Sequence, residues 1–156
     1  MTIRLETLFG VLVTLQFAAV VAHDWLEIPG WTHSRQVQAV IGRNKLLWAT
    51  AINVIFPGLA VALALAYWGR PHPKIVGTYW AIYCGITVLS AIAMWYVPYL
   101  FGADGKKKTE YARMYAGTRH VLPSRGDNPR PNVLHVCFHL LFVLNLIVAI
   151  VIRLRT

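Results

Sequence analysis

The stretch RPNVLHVCFHLLFVLNLIVAIVIRL, residues 130–154, is apolar for the length of a membrane crossing, yet it holds His135 and His139 within its first two helical turns. A helix needs about 20 residues to cross about 30 Å of hydrocarbon. An imidazole is costly there, so each histidine must pair inside the protein or serve a purpose. Three more segments have this length and character, at about 5–22, 46–68 and 75–100. Backbone groups cannot stay unpaired in lipid, and helices are the economical solution. Together with 133–154 these segments predict an all-α, integral membrane four-helix bundle, a single domain over 1–156, with two long loops on the same membrane face.

Composition agrees with that reading. The 156 residues are 57% hydrophobic and only 13% charged, against about a quarter charged in a soluble domain. The first segment has the basic start and small final residue of a cleavable leader. Val20 suits the upstream small-residue position poorly, so the segment is read as a retained transmembrane helix. Pro57-Gly58 predicts a kink in the second span. Cys84 and Cys137 each lie in an apolar run without a C-x-x-C motif, which points to neither a disulfide framework nor a thiol-redox site.

Four crossings place both termini and the 69–74 turn on one side, here face A, and the loops 23–45 and 101–132 on the other, face B. Of the 15 lysines and arginines, Arg4, Arg70, Lys74, Arg153 and Arg155 fall on face A and the rest on face B. The positive-inside rule then predicts a multi-pass protein of the cell (inner) membrane with the long loops cytoplasmic. The net charge of +9 does not make this a nucleic-acid binder, because the basic residues flank membrane segments and no recognition motif accompanies them. GKKKTEYARMYAGTRH, residues 105–120, suits anionic membrane lipids, at about 1 kcal/mol per basic residue. The six tryptophans fall mostly near helix ends, as an interfacial belt does.

Five of the six histidines, His23, His33, His120, His135 and His139, belong to face B, with only His72 opposite. Asp24, Glu27, Glu110 and Asp127 join them, which locates the candidate site. At about 1.5 Å of rise per residue, His139, Asn53 and Gln16 fall in one layer about 10 Å deep. Such a layer either bonds helix to helix or lines a site.

His135 and His139, at i and i+4, share a helical face and with His23 form a candidate metal set. Val136 stands where a metalloprotease needs glutamate, and a single histidine cluster is too few for a membrane di-iron hydroxylase. Bis-histidine haem, from His23 or His33 to His135 or His139, stays open. Without a metal, His120, His135, His139 and Asp24 are the candidate acid–base groups. GTRHVLPSRGDNPRPN, residues 117–132, offers Arg119, Arg125 and Arg130 as forks for an anionic headgroup, with Asn53 orienting the substrate. Asn132 is a good N-cap, and the positive end of the helix behind it predicts a neutral His135.

In length, basic balance and helix number the chain is similar to the small membrane glutathione-transferase and eicosanoid-enzyme superfamily, and RNKLLWATAINVIFP, residues 43–57, has the Arg, Asn and Pro order of that family's second helix. Val-Ile-Phe-Pro follows Asn53 where the family has an acidic residue, so no family role is carried over.

Two functions follow from these residues. One is an enzyme or binding protein for an amphiphilic or lipid-like anionic small molecule, with or without a metal or haem. The other is a non-catalytic accessory subunit, in a homo-oligomer or a larger membrane complex.

Overall fold

Apolar runs that must satisfy their own backbone groups become helices, and four continuous stretches do so at membrane length: Leu5–Ala22, Arg43–Ala66, Lys74–Phe101 and Val133–Arg155. The chain is therefore a multi-pass, all-α membrane protein with a four-helix bundle. The computed structural model describes residues 4–156. Among these, the elements in chain order are α1 (Leu5–Ala22), α2 (Ser34–Ile41), α3 (Arg43–Asn53), α4 (Ile55–Ala66), α5 (Lys74–Ala91), a π-helical turn (Ile92–Tyr96), α6 (Val97–Phe101), α7 (Gly105–Met114) and α8 (Val133–Arg155).

The second and third spans are each interrupted next to a proline. Pro57 has no N–H to give the carbonyl of Asn53, four residues back, and its ring crowds that carbonyl. The α3–α4 junction falls there, at Val54. Pro98 likewise cannot serve the carbonyl of Met94. The helix widens into the π turn just before it, and the Tyr111 hydroxyl donates to Met94 O at 3.4 Å.

The bundle core lies between α1, α4, α5 and α8, where Phe9, Val13, Ala60, Ala64, Trp80, Cys84, Ala149 and Ile152 are buried. Small residues let the helices approach closely. At Gly10 the approach is closest, since a Cβ there would stand 2.7 Å from the Trp68 ring. A polar seam crosses this core. Gln16 Nε2 donates to Tyr83 Oη at 2.7 Å, and Asn145 Nδ2 donates to Gln16 Oε1 at 2.8 Å, joining α1, α5 and α8.

This seam corrects the expectation that Gln16, Asn53 and His139 form one layer. Asn53 is exposed at the end of α3, because α1 packs mainly along α4 and far less along α3. Cys84 and Cys137 are both free.

The two long loops meet at one end of the bundle. There α2 packs on α7, and Val37, Leu46 and Met114 form a second small core with Trp25, Tyr111 and Tyr115 against it. Arg119 N donates to Gly30 O at 2.8 Å, which stitches one loop to the other.

Gln16→Ala strands the buried Tyr83 and Asn145 groups and should lower stability by about 1–2 kcal/mol. A Gln16→Leu, Asn145→Leu double variant, which removes two members of the seam together, should lose less than the sum of the single leucine variants. Thermal unfolding in detergent, followed by circular dichroism, measures both.

Candidate functional site

Asn132 is buried to 1% exposure and joins three parts of the chain. Its Oδ1 accepts from the backbone N–H of His135 at 3.0 Å and so caps α8. The same oxygen lies 2.7 Å from His135 Nδ1. Its Nδ2 donates to Trp31 O, in the first long loop, at 3.1 Å. The carbonyl of Trp31 can only accept, which fixes the amide orientation and makes Oδ1 the atom facing His135. His135 Nδ1 therefore carries a proton, and in the neutral ring the lone pair resides on Nε2. That nitrogen makes no hydrogen bond among the described residues.

Aromatic groups wall the His135 ring. Trp95 lies over it with centroids 3.8 Å apart, Tyr115 meets it edge-on at 5.3 Å, and Phe138 stands at 6.4 Å. The π turn delivers Trp95 and Tyr96 together: Trp95 reaches both His135 and His139, and Tyr96 Oη lies 3.2 Å from His139 Nδ1. Such widened turns often mark working sites.

His23 faces His135 edge-on at 6.0 Å. Its Nδ1 lies 2.9 Å from Val20 O, a pure acceptor, so that nitrogen is protonated. Its Nε2 lies 3.2 Å from Asp24 Oδ2. Two facing lone pairs would repel, so one proton is held between the two groups, either as imidazolium with carboxylate or as imidazole with carboxylic acid. Burial raises the Asp24 pKa above the usual carboxylate range, partly offset by His23, which favours sharing. Burial also pushes the Tyr115 hydroxyl well up, with Asp24 adding to it, and pushes Tyr111 up to about 12. Both phenols are neutral donors.

The other sequence-selected residues lie around this cluster. His120 Nδ1 donates to Pro131 O at 3.1 Å, just before α8, and burial lowers its pKa with help from Arg130. His33 pairs with Glu27 at 3.2 Å. Arg119 is exposed, with its side chain along Gly30, where φ is +76° and a Cβ would come within 3.2 Å of Arg119 Nε. Arg125 lies over the Tyr99 ring at 5.6 Å, and Arg130 Nη1 donates to Leu122 O at 3.3 Å. Asn53 stands apart from the cluster, exposed on α3.

The metal and haem readings find no support. Among the described residues no group of three or more His, Cys, Asp or Glu is placed to hold an ion. Of the expected ligands, His23 has both nitrogens engaged, while His135 and His139 each hydrogen-bond through Nδ1 alone, to Asn132 and Tyr96. The i, i+4 spacing puts the rings 6.2 Å apart, but their partners draw them in different directions. Neither of two surface hollows, one lined by Arg4, Arg70 and His72 and the other by Asn44, Leu47, Trp48 and Ala51, reaches His135.

Sequence reasoning selected the histidines and Asn132 but missed Trp95, Tyr96, Tyr115 and Asn145. Pro98 inside an apolar run was the available signal for the first two. No family model, curated protein or solved structure matches the chain. The likeness to the membrane glutathione-transferase superfamily therefore rests on length and helix number.

The lowered His120 pKa sets a pH dependence. The unfolded chain binds the proton more readily, so the contribution of His120 is complete above about pH 6.5 and fades as pH falls toward the folded-state pKa. His120→Gln should flatten the decline of Tm between about pH 7 and pH 5, measured by thermal unfolding across that range. Asn132→Ala should cost about 1 kcal/mol through the lost cap, seen in the same assay at pH 7.

Proposed function

We propose that this is a small membrane-embedded binding protein or enzyme whose working atom is Nε2 of His135, acting on an amphiphilic, anionic, lipid-like molecule taken from the face-B leaflet. The observation that carries this reading is the unbonded Nε2. Both nitrogens of His23 are engaged, whereas Asn132 commits Nδ1 of His135 and leaves its second nitrogen free, beside a one-proton His23–Asp24 pair.

In this reading Nε2 accepts a proton from the bound molecule or a hydrogen bond from its polar head. The His23–Asp24 pair holds the neighbouring proton, and the neutral Tyr115 hydroxyl donates. The walls of Trp95 and Phe138 take the apolar part. His139 with Tyr96 extends the polar strip one turn deeper, and His120 steadies the loop ahead of α8. Arg119, which makes no side-chain hydrogen bond or ion pair among the described residues, meets the anionic head. Arg125 and Arg130 hold the loop in shape around it. The face-B loops lie in the cytoplasm at the inner membrane, where anionic headgroups are plentiful.

The second reading, a non-catalytic accessory subunit, draws on a different observation: the aromatic rings fill the space around His135, and the two loops are stitched over it. Its basic α7 would then dock lipid or a partner subunit.

Native mass spectrometry of the protein extracted in mild detergent separates the two. A co-purifying amphiphile should be retained by wild type and at least tenfold depleted in His135→Gln, with Tm nearly unchanged. Equal retention in both proteins, or only bulk lipid in both, would sink the binding-site reading.

A further inference from the structure

α3 is an anomaly within the bundle. Its sequence, RNKLLWATAIN, lies inside a membrane span, yet Leu46 is its only buried residue. Exposed apolar side chains need no explanation in lipid, and Trp48 at 72%, Ile52 at 60% and Phe56 at 61% exposure are at home there. Asn53 is different.

It lies seven residues past Leu46, where the apolar run begins, about 10 Å into the hydrocarbon. Its carboxamide is exposed and forms no hydrogen bond among the described residues. The adjoining backbone carbonyl, its own, faces Pro57, which has no N–H to offer. An amide and a helix break coincide within the hydrocarbon. Polar side chains there are expected to face protein, and irregular backbone at that depth is tolerated only where protein covers it or water fills a cavity.

We propose that the α3 surface carrying Asn53 packs against the same surface of a second copy of this chain, with the two Asn53 amides hydrogen-bonded to each other within the hydrocarbon. A carboxamide offers both a donor and an acceptor, so two identical ones satisfy each other reciprocally. All copies insert with the same orientation, so two α3 helices related by a two-fold axis along the membrane normal meet in parallel and bring Asn53 opposite Asn53. A foreign helix would have to supply a polar group at the same depth by a separate coincidence. Ala49, one turn toward face B on the same side of the helix and also exposed, is small enough for close approach. Lys45, a further turn up, reaches the headgroup layer and need not be buried. Leu46 and Thr50, on the flank of α3 next to this strip, hold the helix to the bundle, with Trp25 Nε1 donating to Thr50 Oγ1 at 3.1 Å, and they leave Lys45, Ala49 and Asn53 exposed.

The test uses the full chain in its native membrane. In a Cys137→Ser background, in which the remaining cysteine, Cys84, is buried, Asn53→Cys should cross-link under mild oxidation to a species of twice the monomer mass. Leu140→Cys, on the lipid-facing side of α8 at 66% exposure, should not. Light scattering in detergent should show Asn53→Leu self-associating at least tenfold more weakly than wild type, and Asn53→Gln close to wild type, with Tm confirming that both are folded. A wild type that stays monomeric, an Asn53→Leu variant that associates as wild type does, or a cross-link to a different protein would each overturn the proposal.

Discussion

One carboxamide fixes the face-B end of the molecule. Asn132 caps α8, commits one nitrogen of His135 and grips the carbonyl of Trp31, and all three contacts depend on one amide orientation. A buried amide in that position is satisfied only if the first long loop, the second long loop and α8 are in register. The lid core of Val37, Leu46 and Met114 can then form over the bundle, bringing Tyr111 and Tyr115 down onto the cluster. The chemistry of His135 is thus a consequence of how the lid is fastened: the fastening occupies Nδ1 and leaves Nε2.

The two prolines inside the spans act by the same physics with different outcomes. Each withholds an N–H from the carbonyl four residues back. Before Pro98 the helix widens, Tyr111 reaches in to the free carbonyl, and Trp95 and Tyr96 both turn to α8, so the disturbance is absorbed into the site wall. Before Pro57 the helix breaks at Val54, α4 stays in the bundle, and α3 is held by little besides Leu46 and Thr50. One interruption is healed within the chain, and the other leaves an amide facing outward within the hydrocarbon.

How much of the site could be read in advance depended on how local each signal was. His135, His139, His23, Asp24 and Asn132 were legible because span ends and loop sides follow from hydropathy, and hydropathy alone gathers these residues at one end. The layer of Gln16, Asn53 and His139 was not legible. Depth along a helix follows from residue count, but the direction a side chain faces depends on helix rotation and on the break at Val54. Gln16 bonds Tyr83 and Asn145 instead, residues with no distinguishing local pattern. The shared-metal reading of His135 and His139 likewise drew no support from the structure. Spacing put them on one face, but each engages its own partner through Nδ1, His135 the cap residue Asn132 and His139 Tyr96 on the π turn.

The sequence by itself determined that the chain crosses the membrane four times, where the crossings begin and end to within a few residues, and that its polar chemistry collects beneath two basic loops. These follow from the free energy of placing side chains and backbone in hydrocarbon, which is a sum over neighbouring residues. Only the tertiary structure decided which nitrogen of His135 is free, which residues wall it, and which polar groups at mid-depth find partners. Those are matters of a few tenths of an ångström and of orientation between elements distant in the chain, set by packing and by single hydrogen bonds rather than by any local sum.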